Sequence, residues 1–458
     1  MKSLILLSGL GVLTLLSEIF NFKRKIFPVV LLGLLGTIVL SAMYWNTNKH
    51  YFNDMMFFDN YAVAFTCLIS FIAFAWFLLS QNYFNEETNL TDHFALILFA
   101  LVGAVIMVSY QNMSMLFLGI ETLSLSLYVL AGSRKNDLHS NEAALKYFLM
   151  GAFATGFLLF GIALIYGVTG SFNLQTIANY ITLNSGNIPA LFYTGVLLMM
   201  VGMAFKISAA PFHFWAPDVY QGSPLVITAF MATIVKTAAF AAFFRLFFTC
   251  FSTIESVWGN IIFVMAILTL AVGNITATYQ ESVKRMLAYS SIAHAGYMLL
   301  AILAMNKFSA GSILFYTAAY SVASITAFTV LSIIINKSNN EAIDAFNGLG
   351  KRNPFLAFAM TVAMLSLAGI PPMAGFFGKY YLFNAALQSG QTTIVLVAVL
   401  ASLVGVYYYF KAIIAMYFKS GSDSSPVEVS FIHKLLLVLT LVLIFAMGLM
   451  SDFVIRLL

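Results

Sequence analysis

The chain alternates apolar runs of about twenty residues with short polar connections, from near its start to near its end. A helix needs ~20 mostly apolar residues to cross ~30 Å of hydrocarbon. Such runs fall near 3–20, 26–45, 61–80, 94–110, 113–131, 143–168, 190–210, 224–250, 257–277, 287–305, 309–335, 355–387, 391–418 and 431–455. The pattern predicts an all-α integral membrane protein with fourteen spans. The longest connections are about 20 residues, too short for a soluble domain, so residues 1–458 read as a single membrane domain.

Two runs are interrupted. The seventh breaks at Ala210-Pro211 and the long twelfth at Pro371-Pro372. Proline removes a backbone donor and clashes with the preceding turn, so both helices should kink or open there. Transporters built from inverted repeats carry one discontinuous helix in each half. The two breaks lie five spans apart, and an odd spacing inverts the second unit relative to the first. The chain therefore divides into a three-helix segment (1–80), a first repeat of spans 4–8 (94–250), an inverted repeat of spans 9–13 (257–418) and a C-terminal helix (431–455).

Composition agrees with a lipid-solvated chain. Sixty-one per cent of residues are apolar and 9% charged, against about 25% charged in soluble domains; the mean hydropathy is +0.94. The first twenty residues have the lysine and apolar run of a signal peptide but no small-x-small cleavage pattern. The basic cluster Lys23-Arg24-Lys25 follows at once, which favours a retained first helix with its N-terminus outside. Apart from Lys434 at the start of the last run, six of the 22 Lys and Arg residues fall within spans: Lys146, Lys206, Lys236, Arg245, Lys379 and Lys411. With the N-terminus outside, twelve others fall in or at the edge of cytoplasmic loops, and only Lys49 and Lys307 in external ones. The positive-inside rule then places both termini outside. The net charge of +5 is distributed by membrane side and marks no nucleic-acid surface. Cys67 and Cys250 stand far apart, with no CxxC pair and no ligand spacing for iron–sulfur, zinc or haem.

The informative residues are the ionisable ones inside apolar runs, where a charge costs at least ~2.5–3.5 kcal/mol on insertion scales. Glu121 lies in span five, Lys206 in span seven, Lys236 in span eight, His294 in span ten and Lys379 in span twelve, seven residues after Pro372. Burial penalises the charged form, which lets a buried lysine exchange protons near neutral pH, where imidazole already does so. Making or breaking a Glu–Lys contact would switch a lysine between holding and releasing a proton. The broken helices would add free backbone groups and room for water. The chemistry fits a proton relay. The bland readings are that Lys146 and Lys411 snorkel from span ends, that Arg245 anchors at the interface, that His213 satisfies carbonyls freed by Pro211, and that the mid-span charges form static pairs.

Four stretches carry a family resemblance: NEAALKYFLMGAFATG (141–156), KISAAPFHFWAPDVYQGSPLVITAFMATIVK (206–236), ESVKRMLAYSSIAHAGYML (281–299) and AGIPPMAGFFGKYYLF (368–383). In order and spacing, over roughly 90–420, they resemble the antiporter-like membrane subunits of bacterial NADH–quinone oxidoreductase, respiratory complex I. The 206–236 block resembles subunit N rather than its paralogues L and M, and no long amphipathic extension follows span fourteen as in subunit L.

The resemblance implies a proton-translocating subunit of an H⁺-pumping NADH:quinone oxidoreductase in the bacterial inner membrane. It implies that Glu121 pairs with Lys206, that Lys146 acts near that pair, that Lys236 is a central relay, and that Lys379 is the far terminal. His294 stands on a helix where paralogues also carry histidine, and Lys411 matches a basic position of no agreed role. NADH, FMN, iron–sulfur clusters and quinone would belong to other subunits, with no cofactor in this chain. The implied partners are subunit M, small membrane subunits such as K and J, and lipids. Two alternatives stay open: an Mrp-type sodium/proton antiporter subunit and a non-pumping structural member of the arm.

Overall fold

The computed structural model describes residues 1–20, 22, 25–85, 89–421 and 425–452. Lys23, Arg24, Arg456 and the last residues of the fourteenth expected span lie outside the described residues. In chain order the helices are α1 (Lys2–Ile19), α2 (Ile26–Ala42), α3 (Asn60–Asn85), α4 (Leu90–Ser109), α5 (Met113–Ala131), α6 (Leu138–Thr169), α7 (Leu174–Leu183), α8 (Ala190–Lys206), α9 (Trp215–Gly222) and α10 (Leu225–Phe230). There follow α11 (Lys236–Leu246), α12 (Glu255–Thr278), α13 (Val283–Ala304), α14 (Ser309–Ser338), α15 (Leu349–Arg352), α16 (Pro354–Ala368), α17 (Ala374–Gln388), α18 (Thr392–Phe418) and α19 (Phe431–Leu449).

Helices dominate because hydrocarbon offers the backbone no hydrogen-bond partner, so each segment must satisfy its own. Their starts carry polar caps: Asn112 on α5, Asp137 on α6, Ser282 on α13, Asn353 before Pro354 on α16, and Ser430 on α19. Each side chain accepts a bond from an amide of the first turn, a group the helix itself leaves unpaired.

Among the described residues, ten helices are long and apolar enough to cross a membrane. Three more, α2, α8 and α16, are apolar but shorter. The expected spans 224–250 and 257–277 lie in one helical stretch, Leu225–Thr278, which tightens to a 3₁₀ turn at Ser252–Ile254. The expected span 355–387 is two helices, α16 and α17, parted by the prolines. Both breaks fall where the sequence places them: the chain leaves helix after Lys206 and resumes at Trp215, and it leaves after Ala368 and resumes at Ala374. Ala210-Pro211 and Pro371-Pro372 are cis.

Helices α4, α10, α11, α13 and α14 form the interior, buried nearly all round, whereas α6 and α18 bury one stripe. Close approach of α12 to α13 rests on Gly273, whose absent Cβ would meet Ala293 backbone at 2.5 Å; small residues permit such contact in membrane bundles. Helix α1 packs on α4 and α2, with Gly11 against Phe99 and Gly33 of α2 against Leu10, and Thr91 donates to the Glu18 carboxylate. Two elements escaped the hydropathy reading. A hairpin pairs β1 (Lys49–Tyr51) antiparallel with β2 (Met56–Phe58), Lys49 opposite Phe58. Within the α6–α8 connection, α7 buries Leu174, Ile177 and Ile181, one stripe of a short amphipathic helix.

Candidate functional site

Lys206 is the last residue of α8, at the first break, and is 5% exposed. Its Nζ donates to Ser124 Oγ on α5 at 2.6 Å, one turn beyond Glu121. The ammonium also lies 5.9 Å from the ring centre of Tyr147, which stacks on Trp215 at 4.8 Å. Lys206 and Glu121 are electrostatic neighbours, but among the described residues they do not form an ion pair within 4.0 Å. The hydroxyl of Ser124, rather than the Glu121 carboxylate, receives the lysine. Two residues on, Ser208 adopts φ +60°, a left-handed conformation that costs a residue with a side chain ~1–3 kcal/mol and concentrates at functional sites.

Lys236 opens α11 directly after a π-helical turn, Met231–Val235. Such turns inside α-helices recur at functional sites, because the extra residue displaces the helix face. Lys236 is 2% exposed. Its Nζ donates to Ser291 of α13 twice, to the carbonyl at 2.5 Å and to Oγ at 2.6 Å.

His294, three residues further along α13, is bracketed by tyrosines. Its Nδ1 lies 2.6 Å from Tyr316 Oη of α14, and its Nε2 lies 3.0 Å from Tyr409 Oη of α18. Tyr409 Oη in turn meets Ser290 Oγ at 2.5 Å. A void of about 10 Å³ lies between His294, Tyr316, Ser366 and Gly375, about the size of one water position. Lys379 on α17 donates to the Ala368 carbonyl and to Ser402 Oγ of α18, both at 2.8 Å, and stands 4.7 Å over the Tyr297 ring. Ala368 ends α16, so the second break supplies the carbonyl that receives the lysine. Gly369 makes room for it: φ is +82°, and a Cβ there would meet Lys379 Cδ at 2.8 Å. His294 feels the charges of both Lys236 and Lys379.

A polar cavity of about 1080 Å³ opens at the end of the bundle where the α5–α6, α12–α13 and α14–α15 connections meet. Lys146 reaches this vestibule rather than Glu121. It pairs with Glu142 at 2.7 Å and with Asp218 of α9 at 2.9 Å, and Arg285 of α13 pairs with the other Asp218 oxygen at 3.1 Å. Burial pushes the Asp218 carboxyl up, but the bonds from Lys146 and Arg285 outweigh it and hold it below its ordinary value.

Arg245 is a correction to the interface-anchor reading. It is 5% exposed and pairs with Asp59 at 2.6 Å, lying over the Tyr61 ring. Lys411 donates to the Gln280 carbonyl at 3.1 Å. His213 is buried beside Phe214 with a backbone bond at Pro211, and among the described residues its Nδ1 has no hydrogen-bond partner. Among the described residues no three His, Cys, Asp or Glu side chains are grouped to hold a metal.

One pattern joins three of the buried lysines. Lys206, Lys236 and Lys379 each come from a different helix, and each is held by one serine hydroxyl: Ser124, Ser291 and Ser402. A serine both donates and accepts, so it satisfies a lysine in either protonation state. Nothing in the sequence marks these serines, because serine is unremarkable in a membrane helix.

Residues 111–405 match the family described as NADH:quinone oxidoreductase/Mrp antiporter, TM. NADH-quinone oxidoreductase subunit N of Cytophaga hutchinsonii is 46% identical over 427 residues, 93% of this chain and 92% of the relative. A chain of respiratory complex I from Thermus thermophilus, solved with bound aureothin, superposes with a TM-score of 0.85 at 34% identity, covering 99% of this chain and 98% of that one. A chain of the Mrp complex of Dietzia sp. DQ12-45-1b superposes at 0.86 over 99% and 94% but is 19% identical, a likeness of fold alone. With such identity over nearly its whole length, the chain belongs to the NADH-quinone oxidoreductase subunit N family.

Proposed function

We propose that this chain carries protons across the membrane as an antiporter-like subunit of an NADH–quinone oxidoreductase, using Glu121, Lys146, Lys206, Lys236, His294 and Lys379. The observation that carries this reading is the serine-held lysine, repeated three times without a carboxylate partner within 4.0 Å among the described residues. A fixed buried ammonium without a counter-charge costs several kcal/mol. A lysine that alternates between neutral and charged bears that cost only while it is loaded. The Ser291 hydroxyl holds Lys236, the Tyr316 and Tyr409 hydroxyls meet the two ring nitrogens of His294 with Ser290 on Tyr409, and the water-sized void beside His294 lies toward the second break.

In this reading redox events elsewhere in the complex reach the chain as an electrostatic or conformational change along the membrane arm. Closing the Glu121–Lys206 contact loads Lys206; opening it, as here, leaves the lysine on Ser124 and releases its proton toward Lys236. The path then runs through His294 to Lys379. NADH, flavin, iron–sulfur clusters and quinone are held by other subunits. Subunit M and small subunits such as K and J are the expected neighbours, in the bacterial inner membrane. Counting Leu225–Thr278 as two spans and α16–α17 as one broken span gives fourteen, with inverted repeats over spans 4–8 and 9–13, both termini periplasmic and the vestibule cytoplasmic.

Inverted vesicles containing the assembled complex with Lys206→Ala test the reading through NADH-driven quinone reduction and proton uptake. Loss of both, or fewer protons per NADH, is the expected result. Both unchanged would make the chain a scaffold.

A further inference from the structure

The path above begins at Lys206, yet the vestibule has a buried lysine of its own. Lys284, in the first turn of α13, is 6% exposed and lines the cavity's inner wall. Its Nζ donates to the Gln221 carbonyl at 2.7 Å and the Ser223 carbonyl at 2.6 Å, where α9 ends and the chain turns into α10. Among the described residues it forms no ion pair within 4.0 Å. The charges facing it are Arg134 and Asp137 from the α5–α6 connection and Glu341 from the α14–α15 connection, with Arg285 and Asp218 further along the wall. Two carbonyls occupy two N–H groups. A neutral amine provides both, so the third proton of the ammonium can leave without breaking either bond.

Polar groups continue inward from this point. Ser223 is 1% exposed, lines the same cavity, and its buried hydroxyl has no hydrogen-bond partner among the described residues. Three residues back, Tyr220 is fully buried, and its hydroxyl faces Ser291. Ser291 Oγ is the group that holds Lys236 at 2.6 Å. Lys284 and Ser291 are seven residues apart on α13, two helical turns along one face.

We propose that Lys284 is a second proton-loading residue, which feeds Lys236 directly from the vestibule without passage through Lys206. Neutral Lys284 accepts one proton from vestibule water. It releases one proton through the Ser223, Tyr220 and Ser291 hydroxyls, each accepting one proton as it gives up another, and neutral Lys236 becomes an ammonium. Lys284 returns to the neutral amine, still donating to both carbonyls, and no net proton is left on a hydroxyl. The inference rests on Lys236 being a relay.

The test separates carrying a proton from holding α9 in place. Arginine can donate to both carbonyls but does not deprotonate in a protein; methionine can do neither. In assembled complex reconstituted in inverted vesicles, both Lys284→Arg and Lys284→Met should lower protons taken up per NADH severalfold, with Ser223→Ala lowering it less. Normal proton yield in Lys284→Arg, with a deficit only in Lys284→Met, would overturn the proposal and leave Lys284 as a clamp on α9. Normal yield in both would also overturn it. Lys236→Ala is run alongside. A deficit there with normal Lys284 variants refutes this inference alone, and normal yield in Lys236→Ala refutes the relay itself.

Discussion

Lys206 Nζ sits 2.6 Å from the hydroxyl of Ser124, three residues along α5 from Glu121. The lysine is thus bound by a neutral hydroxyl, with a carboxylate near enough to act on its charge from the same helical turn. A bond from a charged group is worth ~1.5–3 kcal/mol, enough to move a two-state equilibrium by roughly one to two orders of magnitude.

Ser124→Ala should therefore drive Lys206 toward Glu121 and hold it loaded. Proton uptake should fall severalfold, and Ser124→Ala combined with Glu121→Gln should lose less than the two single losses predict. The four vesicle preparations of a double-mutant cycle check this. Additive losses would show that the two groups do not compete for the lysine.

Gly369→Ala tests the space around Lys379. The added Cβ would meet Lys379 Cδ at 2.8 Å, on a backbone with φ +82°, a strain of ~1–3 kcal/mol. The complex should still assemble, since α16 and α17 are held elsewhere along their lengths. Proton yield per NADH should drop severalfold as the lysine leaves the Ala368 carbonyl. Assembly on native gels and proton uptake, measured together, separate displacement from misfolding.

How much of this was legible in the sequence follows from what stands out against an apolar background. Lys206, Lys236, His294 and Lys379 did, because a titratable side chain inside a membrane run is costly and conspicuous. Both helix breaks did, because proline announces them. Their partners did not. Ser124, Ser291 and Ser402 lie 82, 55 and 23 residues from the lysines they hold, and only packing brings them together. The π turn before Lys236 leaves no composition signal. Asp218 was invisible for another reason: it stands between runs, where an acidic residue is ordinary, and its partners Lys146 and Arg285 come from α6 and α13. Arg245 looked like an interface residue because its counter-charge, Asp59, precedes it by 186 residues.

Tyr409→Phe should weaken the middle of the path. The change strips His294 Nε2 of its 3.0 Å partner and Ser290 of its 2.5 Å partner. Leaving buried polar groups unpaired costs ~1–3 kcal/mol each. Proton uptake should fall severalfold, and Tyr316→Phe, which strips Nδ1, should act in the same direction. Normal uptake with both tyrosines changed would place His294 off the path.

Arg245 and Asp59 should behave as a structural pair. Arg245 is 5% exposed and Asp59 25%; breaking such a pair from one side costs ~3–5 kcal/mol, whereas replacing both by apolar residues is often neutral. Arg245→Met alone should reduce the amount of the subunit in the membrane, and Arg245→Met with Asp59→Leu should restore it. The readout is subunit abundance by immunoblot, with proton yield per assembled complex normal in the double variant. A double variant that assembles but fails to pump would give the pair a role in transport.

If buried lysines carry the protons, both proposed routes pass through Lys236. The direct measurement is protons taken up per NADH oxidised by inverted vesicles containing assembled complex with Lys236→Ala. The expected result is either loss of both activities or electron transfer with a reduced proton yield. An unchanged yield at an unchanged turnover would take Lys236 off the path, and the buried lysines would then be structural.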